Sequence, residues 1–195
     1  MAVRETHRRY LTDETGAAAA EFAMVSVLFI TMMLGIIDGA RFAWEFNSAK
    51  AAARAGARLA AVSPPVVQQL VDFDAVNGSL ALPGGSSLPT DGVSIPDYSC
   101  NSTTCTSSGT RVAANFTPIV TRMQQYYPRV QAANVTIKYR ERGLGIAGNP
   151  YGTDVQPLIT VSITGIVFRP LSLRIFGATF VLPSVETTFS GEDLA

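Results

Sequence analysis

The chain has 195 residues with 15 Lys+Arg, 15 Asp+Glu and one His, so it is formally neutral, and only 15% of it is charged against a usual share of about 25%. Neutrality offers no overall attraction to a polyanion such as nucleic acid, and the length suits one modest domain with an appendage. The mean hydropathy of +0.23 therefore has to be traced to particular segments.

Residues 1–16, MAVRETHRRYLTDETG, form a polar leader with Arg4, Arg8 and Arg9. Residues 17–37, AAAAEFAMVSVLFITMMLGII, follow with a single charge, Glu21. As a helix that run spans roughly 31 Å, which matches a hydrocarbon core of about 30 Å, and it predicts one membrane crossing. A secretory signal peptide would carry a shorter apolar run followed by small residues, whereas Asp38, Arg41, Phe42 and Trp44 follow here. A buried helix of a soluble core would be shorter and would need a partner for Glu21. The Glu21 carboxylate either snorkels to the interface or is kept because something uses it. Charge counting does not orient the crossing, because Arg41, Lys50, Arg54 and Arg58 beyond it balance the three leader arginines.

Residues 38–61 hold ten alanines and no proline, so the helix is expected to continue to Ala61. Lys50, Arg54 and Arg58 make a basic stripe on it. Phe42, Phe46, Ala49, Ala53, Gly56 and Ala60 make a second stripe, aromatic at one end and small elsewhere, suited to close packing either against the head of the same chain or against another subunit. Ser63-Pro64-Pro65 stops the helix, and Ser63 reads as the cap of a short second helix with Val66, Val67, Leu70 and Val71 inward and Asn77-Gly78 as its stop. Residues 80–111 are rich in Gly, Ser, Thr, Pro and Asn and read as a long surface loop. Thr117-Pro118 reads as a helix start, with Ile119, Met123 and Tyr126 or Tyr127 apolar up to Pro128.

The period then becomes two. In residues 133–142, Val135, Ile137 and Tyr139 alternate with Thr136, Lys138 and Arg140, as in a strand with one wet face. Residues 157–168 and 179–189 read as further strands, the last bent or at an edge because of Pro183, with 143–156 as a turn region. The expected fold is α+β: a long amino-terminal transmembrane helix continuing into a small head (62–195) with two short helices and a carboxyl-terminal antiparallel sheet.

Chemistry is sparse. Outside the leader there is no His, no acidic cluster with metal-ligand spacing and no phosphate-cradling loop, so no catalytic, cofactor or metal site is expected and the chain does not read as an enzyme. GLGIAG (143–148) departs from G-x-G-x-x-G and is followed by Pro150, so it reads as a turn. Asp72 with Asp74, and Glu192 with Asp193, read as exposed charges. Cys100 and Cys105 in CNSTTC lack further metal ligands, since His7 lies in the leader. They read as a small-loop disulfide, with two free thiols as the alternative, and a disulfide requires an oxidising compartment.

Residues 16–61, GAAAAEFAMVSVLFITMMLGIIDGARFAWEFNSAKAAARAGARLAA, resemble the amino end of the TadE-like family, small pseudopilins of tight-adherence pili. Gly16, Ala17, Glu21, Phe22, Ala23, Gly35 to Asp38 and Ala52 to Arg58 are the counterparts of the family pattern. Strands around Phe168 to Leu171 resemble its carboxyl half less specifically. The resemblance implies a minor pilin-like subunit of TadE or TadF type, cut between Gly16 and Ala17 by a prepilin peptidase. It would sit once in the bacterial inner membrane, amino end cytoplasmic and residues 38–195 periplasmic, and could enter the pilus. Glu21, with Phe22 behind it, would act in assembly by neutralising the new Ala17 amine of a neighbouring subunit. Implied partners are the membrane, the peptidase, other pilins and pseudopilins and the Tad inner-membrane assembly platform, with no nucleic acid and no small-molecule substrate. The competing reading is an uncleaved, single-pass exterior binding module whose cysteine loop meets a partner.

Overall fold

The computed structural model describes residues 14–78, 80–88, 95–142, 145–150, 153–174 and 177–191. Arg4, His7, Arg8 and Arg9 of the leader, Gly143, and the Glu192–Asp193 pair lie outside them.

Helix α1, Glu14–Ala61, is unbroken for 48 residues. Alanine, leucine and methionine sustain it, and it ends just ahead of Ser63-Pro64-Pro65, where a helical residue would clash with the proline ring. It begins before Ala17, so the Gly16–Ala17 bond lies in its first turn. The chain divides into two compact units, 1–43 with 169–179 and 44–168 with 180–195, and α1 contributes to both.

The second unit is a sheet covered by helices. Strands β1 (Tyr98–Cys100), β2 (Val135–Arg140), β3 (Leu158–Ile163) and β6 (Val185–Ser190) lie in the order β1-β2-β3-β6, each antiparallel to its neighbour. The register aligns inward residues in rows: Tyr98, Tyr139, Ile159 and Phe189, then Cys100, Ile137, Val161 and Thr187, then Val135, Ile163 and Val185. Period-two alternation puts these rows on one face, and Val135, Ile137, Ile159 and Val161 are fully enclosed. Burying each such side chain contributes about 1.5–3 kcal/mol.

Helix α3, Ala113–Tyr126, buries Phe116, Ile119, Val120 and Met123. The later part of α1 buries Ala49, Ala53, Gly56 and Ala60, as the small stripe predicted, and also Ala52 and Ala57, which lie outside that stripe. At Gly56 α1 and α3 pack closely, since a Cβ there would stand 2.6 Å from Met123 Cγ. Ala49 shares one small gap with Ile163, Ile166, Leu182 and Val185, and Arg58 lies 6.0 Å over the Phe189 ring. The Tyr139 hydroxyl accepts the Val66 N–H at 3.0 Å in the interior.

Five local expectations need correction. Ser63 does not cap a helix from Val66: α2 is the single turn Gln68–Val71, preceded by Val67. The Val66 carbonyl accepts from Val112 N and Val67 bridges Arg111, so those two residues are held as extended chain. Residues 80–111 are not structureless, because β1 lies among them and Ala75, Leu88, Ala147 and Val155 form a small second core. Helix α3 starts at Ala113 rather than at Thr117, leaving Pro118 inside it. The donor that Pro118 lacks would serve the Ala114 carbonyl on an exposed part of the helix, where solvent can replace it.

The segment 157–168 breaks at Gly165 (φ +73) into β3 and β4 (Val167–Phe168), and 179–189 breaks at Pro183 into β5 (Phe180–Val181) and β6. β4 and β5 pair as a separate two-stranded sheet. The bend at Pro183 and the edge position of the last strand follow the expectation. Gly145–Gly148 is more than a turn: Ala147 N donates to the Ser86 carbonyl and Leu88 N to the Gly145 carbonyl. The buried Asp154 secures this region, accepting from Ala75 N at 2.7 Å and Asn149 N at 2.9 Å.

Candidate membrane and assembly site

From Gly16 to Ile37 helix α1 is almost bare. Phe22 is 74% and Leu28 72% exposed, Glu21 is exposed, and a Cβ added at Gly16, Gly35 or Gly39 would meet nothing within 4 Å. So large a run of exposed apolar side chains is not stable in water. The helix is long and apolar enough to cross a membrane, and the Thr31 hydroxyl is satisfied within it, Oγ1 donating to the Val27 carbonyl at 2.8 Å, as hydrocarbon surroundings require. Ala17 and Glu21 are four residues apart and so share a helix face about 6 Å apart along the axis. Among the described residues, no other part of the chain covers Gly16, Ala17, Glu21 or Phe22.

Past the apolar run, two acidic side chains of α1 turn inward. In the first unit Asp38 is buried. Its two carboxylate oxygens accept the backbone N–H groups of Leu171 and Ser172, each at 2.7 Å, and Arg41 Nη1 lies 3.3 Å away. A carboxylate satisfied by two amides and a guanidinium withstands burial. The turn that it holds is closed by Arg174 N donating to the Leu171 carbonyl at 3.3 Å and Gly177 N to the Arg174 carbonyl at 3.1 Å.

In the second unit Glu45 is buried to 4% exposure. Its Oε2 accepts from the Tyr127 hydroxyl at 2.9 Å and from Arg129 Nη1 at 2.5 Å. Arg129 Nη2 donates onward to the Val167 carbonyl at 2.6 Å. Burial, and the Glu45 carboxylate beside it, push the Tyr127 phenol up to about 12, so it stays a donor at all physiological pH. Burial also raises the Tyr139 phenol above its ordinary range.

Sequence reasoning assigned no role to Asp38 or Glu45. A signal for Glu45 was present: stepping back four residues from Ala49 along the buried stripe lands on it, and another seven land on Asp38. The predicted stripe runs through Phe46 and Phe42 instead, which are only half-buried.

Cys100 and Cys105 form the expected disulfide. The loop between them is tight: Asn101 Oδ1 accepts from Thr103 N and Thr104 N at 2.8 Å, and Thr106 N donates to the Ser99 carbonyl. The basic stripe borders an open groove of about 480 Å³ lined by Ala51, Arg54, Arg58, Leu59, Arg122 and Tyr126 among others. Among the described residues no group of three or more His, Cys, Asp or Glu is placed to hold a metal ion. Asp72 and Asp74 are exposed, the latter accepting from Val76 N and Asn77 N at 2.8 Å in a local turn.

No curated protein and no solved structure matches the chain. A family model does: residues 16–58, the bare apolar helix and its continuation past Asp38 and Glu45, match the TadE-like protein family, as their resemblance implied.

Proposed function

We propose that the protein is a minor pilin-like subunit for biogenesis of a tight-adherence pilus, held in the bacterial inner membrane by residues 17–37. The match to TadE-like protein over residues 16–58 supports a pilin-like role of this kind, and a structural component rather than an enzyme. The observation that carries the reading is that the matched segment is also the segment left bare, with Phe22 74% exposed. A helix of that character is built to be covered by lipid and by other helices.

In the finer reading, a prepilin peptidase cuts between Gly16 and Ala17 on the cytoplasmic face and the head, 62–195, is periplasmic. A disulfide between Cys100 and Cys105 is in keeping with an oxidising compartment. The new Ala17 amine and the Glu21 carboxylate of a neighbouring subunit then neutralise each other in the bilayer, which fixes the register of assembly. The partners are other pilins and pseudopilins and the Tad assembly platform.

The mass of the chain recovered from its native membrane tests the processing: loss of residues 1–16, with or without amino-terminal methylation, is expected. An intact start at Met1 would overturn it and favour an uncleaved anchored module. Glu21→Ala tests the assembly role. Insertion should be unchanged and piliation lost, and normal piliation in that variant would refute the pairing.

A further inference from the structure

The turn 169–174 presents two leucines flanked in the chain by two arginines. Leu171 and Leu173 are 43% and 37% exposed, and Arg169 and Arg174, on either side of them in the chain, are exposed as well. Pro170 is buried, and the backbone is fixed by the Asp38 carboxylate through the Leu171 and Ser172 amides at 2.7 Å. Asp38 is the first charged residue after the apolar run. The turn is therefore held within hydrogen-bond reach of the point where the spanning helix leaves the hydrocarbon.

We propose that this turn is a membrane-surface element. Leu171 and Leu173 enter the leaflet at the Asp38 end of the crossing, and Arg169 and Arg174 face the phosphates of anionic lipids. The proposal rests on the reading of residues 17–37 as the spanning segment. Two arguments select a bilayer as the occupant. Any group bonded to Asp38 meets the surface that the adjoining apolar run creates, so the lipid interface is continuous with the turn. The side chains also fit that depth, because leucines reach the acyl boundary while long cationic side chains extend their heads to the phosphates. The consequence is a depth stop: Asp38 and the turn it carries keep the helix from sinking, which sets how deep Glu21 lies, roughly 26 Å away along the axis.

The test uses the unmodified full chain in vesicles of phosphatidylcholine and phosphatidylglycerol that contain a phospholipid with a photoactivated carbene precursor on its acyl chain. After illumination, labelled residues are mapped by mass spectrometry. The expected result is labelling within residues 22–37 and also at Leu171 or Leu173. Labelling of 22–37 alone overturns the proposal and leaves the spanning segment standing, whereas labelling of neither removes both. Cross-links joining the turns of two copies, with no lipid label on the turn, would assign the surface to self-association and likewise overturn the proposal. In the variant Arg169→Ser with Arg174→Ser, the label on the turn should fall and lose its dependence on the phosphatidylglycerol fraction. An unchanged dependence refutes the assignment to anionic headgroups.

Discussion

Removing the Glu45 carboxylate is the sharpest test of how α1 is joined to the head fold. In Glu45→Ala the Tyr127 hydroxyl, on a residue only 1% exposed, loses its acceptor, a loss of about 1–3 kcal/mol for a buried unsatisfied group. Arg129 suffers less, since its side chain is 47% exposed and its Nη2 keeps the Val167 carbonyl, so the roughly 3–5 kcal/mol typical of breaking a fully buried pair is not reached. Relief from burying the carboxylate offsets part of the remainder, and the expected loss is about 2 kcal/mol. With a urea dependence of roughly 2 kcal/mol per molar for a domain of this size, the midpoint should fall by about 1 M. The assay is urea unfolding of the full chain in detergent, followed by the near-ultraviolet circular dichroism of its tyrosines. Tyr127→Phe should cost about 1 kcal/mol, and the double variant should lose less than the sum because both changes remove the same bond. A loss below about 0.5 kcal/mol for Glu45→Ala, or strict additivity, would refute the argument that this buried pair holds the helix.

At Gly56 a side chain must displace Met123, so Gly56→Val should destabilise by about 1–3 kcal/mol, and combining it with Met123→Ala should cost less than the two changes measured apart. The disulfide closes a loop with a sequence separation of 5; replacing both cysteines by serine should cost about 2 kcal/mol by the chain-entropy argument, and added reductant should reproduce most of that loss in the unchanged chain. Because the Tyr127 and Tyr139 phenols are raised in the folded state, stability is full below about pH 10, where the unfolded phenols are still protonated. It should fall as pH rises from about 10 through about 12, with unfolding midpoints and tyrosinate absorbance recording the same transition.

The elements most legible in the sequence were those whose pattern is local. Twenty-one nearly uncharged residues announce a helix long and apolar enough to cross a bilayer, and Val135, Ile137 and Tyr139 announce a strand. What the pattern missed depends on partners far along the chain. Tyr98–Cys100 becomes a strand only because Tyr139 and Ile137 stand opposite; three residues carry too little periodicity to be recognised by themselves. Val66 and Val67 looked like one helical face, yet pairing with Val112 and Arg111 claims them. The burial of Asp38, Glu45 and Asp154 is not legible locally, because donors that hold them lie 133, 82 and 79 residues away along the chain.

The two outer strands of the four-stranded sheet differ from its interior in a way that bears on self-association. β1 is three residues long and is closed at once by the Cys100–Cys105 link, while β6 follows Pro183 and shows Glu186, Thr188 and Ser190 outward. A short strand, a proline and a charge at the margins are the devices that keep sheets from templating one another. Copies of this chain brought close together would thus have little tendency to zip together through the margins of this sheet.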